Sequence, residues 1–410
     1  MKILMLNYEF PPVGGGGGQA HLALLQQYAG RRDLEVDVLT SMPKPGFDVE
    51  EFAANILIHK QGIHKKDLHL WRRSEIIEWL IKAGSSYRRL IRETKYDLVH
   101  AFFGFPTGWL CYRTAGRLPY IISLRGSDVP GANARLKLDY KILGPLVFKP
   151  IWKRASALVA CSEGLKARAL QFLPSAQIEV IPNGVDLQRF HPVRTTEDGA
   201  EAEVSNGRVG LAPPGLVRQT ESVGQAPPYM PQTSVLRLLT VGRLSGTKRL
   251  PLLIEAVELL VRRDRPVHLT IVGGGALEPE IRRSLGEKDL RDAVTLTGRR
   301  EGSQMPDIYR QHDVFVSASM QEGMSNAMLE AMASGLPIVT TRCEGVDELI
   351  ADNGIVVDDS SASTLAAAIR KLADDRAALR TMSVAARKRA EDFGWDQVAE
   401  SYLRLYAKVK

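Results

Sequence analysis

Two glutamates, Glu322 and Glu330, stand with seven residues between them in the stretch VFVSASMQEGMSNAMLEAMASGLPIVTT, from Val314 to Thr341. The stretch opens on an apolar, β-prone run, passes through Ser- and Gly-rich sequence, and becomes rich in Ala, Met and Leu from Asn326 to Ala333. It reads as strand, loop, helix, strand. Ser325 or Asn326 can cap the helix, Gly335 can end it, and Pro337 forbids its continuation. Glu322 then lies in the loop before the helix, and Glu330 about one turn inside it. The free N–H groups of Gly323, Met324, Ser325 and Asn326, with the positive end of the helix dipole, suit an anion, most naturally a phosphate. An ordinary helix start with two solvated glutamates is the competing reading of this stretch taken alone.

Two cations, Arg243 and Lys248, follow the strand-like run Leu236–Val241. In a doubly wound sheet ligands bind beyond the carboxyl ends of the strands, and this loop and the Glu322 loop both belong to that edge. Arg243 with a forked contact and Lys248 as a point charge would neutralise a diphosphate, although a loop Arg and Lys are often simply solvated. Five consecutive glycines, Gly14 to Gly18, follow Pro11-Pro12 after the first strand and precede a helix. Such a turn can bring main-chain N–H groups, those of Gly15 and Gly16 among them, against an anion or a sugar; a hairpin without a ligand has the same composition.

Positioning these groups takes more than one core. A chain of 410 residues is longer than a single core usually supports, which predicts two domains. Strand-like runs at Lys2–Leu6, Val36–Leu39, Leu98–Ala101, Tyr120–Leu124, Leu158–Ala160 and Ile178–Ile181 alternate with helical sequence, including a helix over Gln19–Ala29. The pattern restarts at Leu236–Val241, with a helix over Leu250–Val261 and strands at His268–Val272, Val294–Leu296, Val314–Val316 and Ile338–Val339. The fold class is α/β: parallel sheets wound with helices on both faces. Residues 1–193 form a first domain and 235–394 a second. Between them 194–234, holding five glycines and five prolines, reads as a mobile linker or insertion. The tail is helical with a break at Phe393-Gly394-Trp395, and a helix over 395–410 is placed to cross back onto the first domain.

Cys111, Cys161 and Cys343 share no metal-ligand spacing, which predicts free thiols and a reducing compartment, so the expected location is cytoplasmic. The N-terminus is too briefly apolar for a signal peptide, and no window approaches the roughly 20 apolar residues of a membrane span. The net charge of +7 suits an anionic substrate or an acidic membrane surface, but the basic residues are dispersed and form no nucleic-acid module.

Taken together, EGMSNAMLEAMASGLPIV, VGRLSGTK, IPNGVDLQRF and NYEFPPVGGGG resemble the retaining glycosyltransferases of family 4, which have the GT-B fold. The likeness runs through nearly the whole chain outside the Gly/Pro-rich insertion. It implies two Rossmann-like domains facing across a cleft, and transfer of a hexosyl or acetamidohexosyl unit from a UDP- or GDP-linked sugar to a hydroxyl. It also implies no cofactor, and the sequence has no Asp-x-Asp motif of a metal-dependent site. By the resemblance Glu330 would bind the ribose hydroxyls and Glu322 the donor sugar. Arg243 and Lys248 would hold the diphosphate, helped by N–H groups of Gly323, Met324, Gly15 and Gly16. Arg299 would lie near the base. One departure stands in Ser123-Leu124-Arg125-Gly126-Ser127-Asp128, where Arg125 occupies the place of a sugar-contacting His. Arg125 and Asp128 are thus candidates at the reaction centre, and an arginine cannot act there as a base. Arg249 replaces a glycine often found after the lysine, and adds charge to the phosphate loop.

His21 and His100 are candidates for the acceptor side, or else structural histidines. Arg135 to Arg154 carries six basic residues and one acidic, interleaved with Tyr140, Phe148 and Trp152, and Trp71 to Lys95 is similar. Such stretches can dock on anionic lipid or on a lipid-linked acceptor at the inner face of a membrane, or are solvated helices. A sugar-nucleotide epimerase or hydrolase, or a nucleotide-sugar-binding protein without turnover, are the rival functions.

Overall fold

A computed structural model of the chain describes residues 1–68, 70–131, 137–193 and 235–410. The 194–234 insertion therefore lies outside the described residues, as does Arg135 at the start of the basic stretch.

The first sheet has eight strands: β1 Lys2–Asn7, β2 Glu35–Met42, β3 Phe47–Ala53, β4 Ile56–Gly62, β5 Leu98–Phe102, β6 Tyr120–Leu124, β7 Ala157–Ala160 and β8 Ile178–Val180. Their spatial order is β3-β4-β2-β1-β5-β6-β7-β8. β5 and β6 are buried along their whole length, as strands covered on both faces must be, and they are apolar but for His100 and Ser123. β3 departs from the expected parallel sheet: it pairs antiparallel with β4 at the sheet edge. Its sequence, FDVEEFA, faces mostly outward, and charge on an exposed edge discourages further strand pairing.

The second sheet has six strands: β9 Leu236–Val241, β10 Val267–Val272, β11 Val294–Gly298, β12 Val314–Ser317, β13 Ile338–Thr341 and β14 Gly354–Val357. Their order is β11-β10-β9-β12-β13-β14, all parallel. The order reverses between β9 and β12, so the loops leaving these two strands diverge and open a crevice at their carboxyl ends. The same reversal falls between β1 and β5 in the first sheet.

After helices at Ala362–Asp374 and Arg376–Ala390 the chain turns at Gly394 into the last helix, Trp395–Val409. Val185 donates its N–H to Phe393 O at 2.8 Å, so the outgoing and returning crossings lie side by side. The last helix buries Val398, Ala399, Tyr402, Leu405 and Tyr406. Apolar side chains the size of Val398 and Leu405 contribute on the order of 1.5–3 kcal/mol each when fully buried. Its hydroxyls reach the first domain: Tyr406 pairs with His100 Nδ1 at 2.7 Å and Tyr402 with Ser123 Oγ at 2.9 Å.

Candidate active site

The helix Asn326–Ala333 begins where Ser325 Oγ accepts the N–H of Met328 at 3.4 Å, and it stops before Gly335, which is left-handed at φ 79°. Met328, Leu329, Ala331 and Met332 fill the core and fix its rotation. Glu330 then meets Tyr309, whose hydroxyl donates to its Oε2 at 2.8 Å. Burial pushes the Glu330 carboxyl up to about 7, while the Tyr309 hydrogen bond pulls the other way.

At the end of β9, Arg243 is exposed and Lys248 half-buried, and the Lys248 ammonium is ion-paired with the Glu322 carboxylate. Gly242, Arg243, Lys248, Ser317, Ser319 and Ser325 line a cavity at the carboxyl ends of β9 and β12. Arg249 keeps its charge in this loop, but its guanidinium is turned to neutral acceptors. It holds the left-handed conformation at φ 45°, where a glycine is favoured, and its guanidinium is spent on Ala318 O at 2.6 Å, Thr341 Oγ1 at 3.0 Å and Ser360 Oγ at 3.2 Å. It braces the loop instead of facing the cavity.

The first domain closes the other side. Asn326 Nδ2 donates to Gly16 O at 3.3 Å, and a Cβ on Gly15 would lie 3.1 Å from Arg243 Nη2. The glycine run is only partly a turn: the helix begins at Gly16, three residues before the predicted Gln19. A Cβ on Gly17 would sit 2.7 Å from the Phe103 ring and one on Gly18 2.4 Å from Glu9 O, so packing explains glycines inside a helix that propensity argues against. Glu9 was not singled out by sequence reasoning. Its carboxyl is raised by burial and pulled back by the charge of Arg243.

Arg125 donates through Nη1 to Asn183 Oδ1 at 2.7 Å and through Nη2 to the Tyr402 hydroxyl at 3.5 Å. Asn183, which stands in IPNGVDLQRF and had no assigned role, also donates to Asn326 Oδ1 at 2.8 Å and to Met324 O at 3.3 Å. One amide thus joins the Arg125 wall to the start of the Glu330 helix. Gly126 comes against Gly323, where a Cβ would lie 3.3 Å from the Gly323 nitrogen, and Ser162 Oγ donates to Gly323 O at 2.6 Å. Glu344 accepts the N–H of Glu322 at 2.9 Å and pairs with Arg168 at 2.9 Å, which ties the turn to the first domain again.

Three candidates, Asp128, His100 and His21, are placed away from the reaction-centre and acceptor-side roles considered for them. Asp128 is buried, and its carboxylate accepts the N–H groups of Gly104 at 2.7 Å and Arg125 at 2.8 Å. It shapes the turn and has no oxygen free of these backbone donors. His100 is fully buried, with Nδ1 on Tyr406 and Nε2 on Ser123 at 2.7 Å, so it belongs to the seam under the last helix and not to an acceptor surface. His21 is also fully buried, stacked on Phe102 at 4.1 Å between ring centroids, with Nδ1 3.2 Å from Asn7 Nδ2. Burial, then Arg125, holds its basicity well below the usual imidazole range, and its Nε2 is buried without a hydrogen-bond partner. Arg299 is exposed and lies along the β10 turn, its Nε 3.1 Å from where a Gly274 Cβ would be.

The family described as Glycosyltransferase Family 4 matches residues 15–189, and that described as Glycosyl transferases group 1 matches 236–375. The chain is 23% identical over 420 residues to an uncharacterised glycosyltransferase of Methanocaldococcus jannaschii, covering 99% of this chain and 98% of the relative. It is 25% identical over 434 residues to a glycogen synthase of Mycobacterium tuberculosis, covering 100% and 95%. Among solved structures, sucrose-phosphate synthase from Thermosynechococcus elongatus superposes with a TM-score of 0.75 at 21% identity, covering 100% and 98%. Anabaena HepE in complex with UDP-glucose does so with a TM-score of 0.71 at 18% identity, covering all of both chains. With one family covering the first domain from Gly15 through β8 and the other the second sheet and its two-glutamate helix, the chain belongs to the family 4 glycosyltransferases of the GT-B fold.

Proposed function

We propose that the protein transfers a hexosyl or acetamidohexosyl unit from a nucleotide diphosphate sugar, UDP- or GDP-linked, to a hydroxyl group with retention of anomeric configuration. The observation that carries this reading is the meeting of Arg243, Lys248 and the helix start after Ser325 around one cavity, with Gly15 and Gly16 opposite. Breakage of the glycosidic bond leaves negative charge on the departing diphosphate. Cations and N–H groups aimed at that charge stabilise the transition state more than the ground state. HepE, which has the same fold, was solved with UDP-glucose, and this supports a nucleotide sugar as donor.

In the proposed assignment Glu330 accepts the ribose hydroxyls, Glu322 turns from Lys248 to the hydroxyls of the donor sugar, and Arg299 flanks the base. The acceptor hydroxyl attacks C1 on the face the diphosphate leaves, and its proton passes to the departing phosphate oxygen. No side-chain base is required, which suits a wall where Arg125 cannot accept a proton and Asp128 is occupied by backbone donors.

The acceptor is proposed to be a glycolipid or polysaccharide precursor met at the cytoplasmic face of a membrane. Ile142, Leu143 and Leu146 are exposed in the basic stretch that includes Lys141, Lys149, Lys153 and Arg154, a combination suited to anionic lipid. Among the described residues no helix is long and apolar enough to cross a membrane.

The test is a panel of UDP- and GDP-linked sugars with free nucleotide as the readout, and the anomeric configuration of any product determined by NMR. Transfer that survives Glu330→Ala and Lys248→Ala unchanged refutes the site.

A further inference from the structure

The guanidinium of Arg125 stands on the first-domain wall of the cleft with neutral groups around it. Its hydrogen-bond acceptors are the Asn183 amide oxygen and the Tyr402 hydroxyl, and its central carbon lies 4.7 Å from the centre of the Phe102 ring. Its Nε is buried and makes no hydrogen bond. Among the described residues no carboxylate forms an ion pair with it. The nearby acids have other partners: Asp128 holds two backbone N–H groups, Glu322 pairs with Lys248, and Glu344 pairs with Arg168.

Desolvating a charge without a counter-charge is costly, and a ligand of the opposite sign would offset that cost. The placement indicates where that ligand would be. Asn183, which fixes Nη1, also grips Met324 and Asn326 at the start of the Glu330 helix. The neighbouring Gly126 touches Gly323, one residue from Glu322. Arg125 is therefore at the sugar end of the proposed donor site, on the opposite domain from Arg243 and Lys248. The diphosphate already has those two cations and the helix start, and does not account for a third cation anchored in the first domain.

We propose that Arg125 determines specificity by pairing with a second anionic group of the substrate, a carboxylate or phosphate distinct from the donor diphosphate. This rests on the nucleotide-sugar reading above. The group can arrive on the transferred sugar, as in a uronic acid, or on the acceptor, as in a sugar phosphate. Arginine is suited to both, because its planar fork matches either anion and keeps its charge at any working pH.

Calorimetry on wild type, Arg125→Gln and Arg125→Lys tests it, with melting temperatures checking that each variant is folded. UDP and GDP are titrated first. The donor arm then compares UDP-glucose with UDP-glucuronate, or GDP-mannose with GDP-mannuronate where GDP is the nucleotide bound. The acceptor arm compares glucose with glucose 6-phosphate at saturating nucleotide. The expected result is that the charged member of one pair binds wild type about tenfold or more tightly than its neutral partner, a difference within reach of one charge-assisted contact. Arg125→Gln abolishes that preference and Arg125→Lys keeps part of it; should Arg125→Gln not fold, Arg125→His takes its place. A preference in the donor arm places the anion on the transferred sugar, and one in the acceptor arm places it on the acceptor. Equal binding in both arms, absence of binding included, overturns the proposal, as does a preference that persists without the arginine. Failure of wild type to bind either nucleotide removes the nucleotide-sugar reading itself, whereas nucleotide binding without charge preference removes only the role of Arg125.

Discussion

Lys248 is ion-paired with Glu322 across the mouth of the cavity, with the two side chains 22% and 17% exposed. A diphosphate must therefore draw the ammonium away from the carboxylate before either residue can serve a donor. The two variants should separate. Lys248→Met removes a charge-assisted contact and weakens UDP binding about 10- to 100-fold. Glu322→Gln releases the lysine, so UDP binds at least as tightly as to wild type while turnover falls by roughly 100-fold or more. Calorimetry and nucleotide release measure the two effects independently; weaker UDP binding by Glu322→Gln contradicts the competition.

Glu330 makes nucleotide binding depend on pH. Its carboxyl is pushed up to about 7 by burial, and accepting two ribose hydroxyls requires the ionised form. Affinity for UDP-glucose, whose diphosphate does not titrate in this range, should fall as pH drops through about 7, approaching tenfold per unit at the acid limit. Glu330→Gln flattens the profile. The effect on stability has the opposite sense. Because the folded-state value is raised, the contribution is complete below the ordinary carboxylate range and is lost as pH rises through about 7. Urea titrations at pH 5 and pH 8 should show Glu330→Gln gaining on wild type at the higher pH.

The glycines of the run are not equivalent. Gly18→Ala places a methyl 2.4 Å from the Glu9 carbonyl, a backbone atom that cannot rotate away, and should cost about 1–3 kcal/mol. Gly16→Ala meets nothing nearer than Asn326 Nδ2 at 3.6 Å and should leave stability within about 0.5 kcal/mol. Denaturant midpoints of the two variants check the contrast.

Ile142 and Leu146 are 58% and 78% exposed beside basic residues. Ile142→Ser with Leu146→Ser should reduce co-sedimentation with phosphatidylglycerol vesicles several-fold, and raising the salt should weaken wild-type binding as well. Equal sedimentation of both proteins assigns those side chains no part in lipid contact.

Much of the scaffold was legible because its strands are covered on both faces and must be largely apolar. Tyr120–Leu124, Leu236–Val241 and the helix Asn326–Ala333 have the predicted bounds. The β3–β4 hairpin was missed because one strand is an exposed edge interrupted by Asp48, Glu50 and Glu51, whose pairing satisfies the backbone without burying most side chains. Bringing Glu322, Lys248 and Arg243 to one edge followed from the parallel direction of the strands alone. The burial of His100 did not, because it depends on which helix covers β5, and that helix comes from the far end of the chain. The commitment of Asp128 to backbone donors was hidden for a related reason: a loop carboxylate looks the same in sequence whether it faces a ligand or its own turn.

The crossing of the last helix orders the birth of the protein. A ribosome that has produced residues 1–394 has made every strand of both sheets, yet His100 and Ser123 still lack the hydroxyls of Tyr406 and Tyr402. The first domain, although translated first, is completed last, and only after the second has been threaded between its two parts. Cutting the chain between the sheets therefore does not yield two finished pieces, and nascent chains that stall before Trp395 present an uncovered seam to chaperones and proteases.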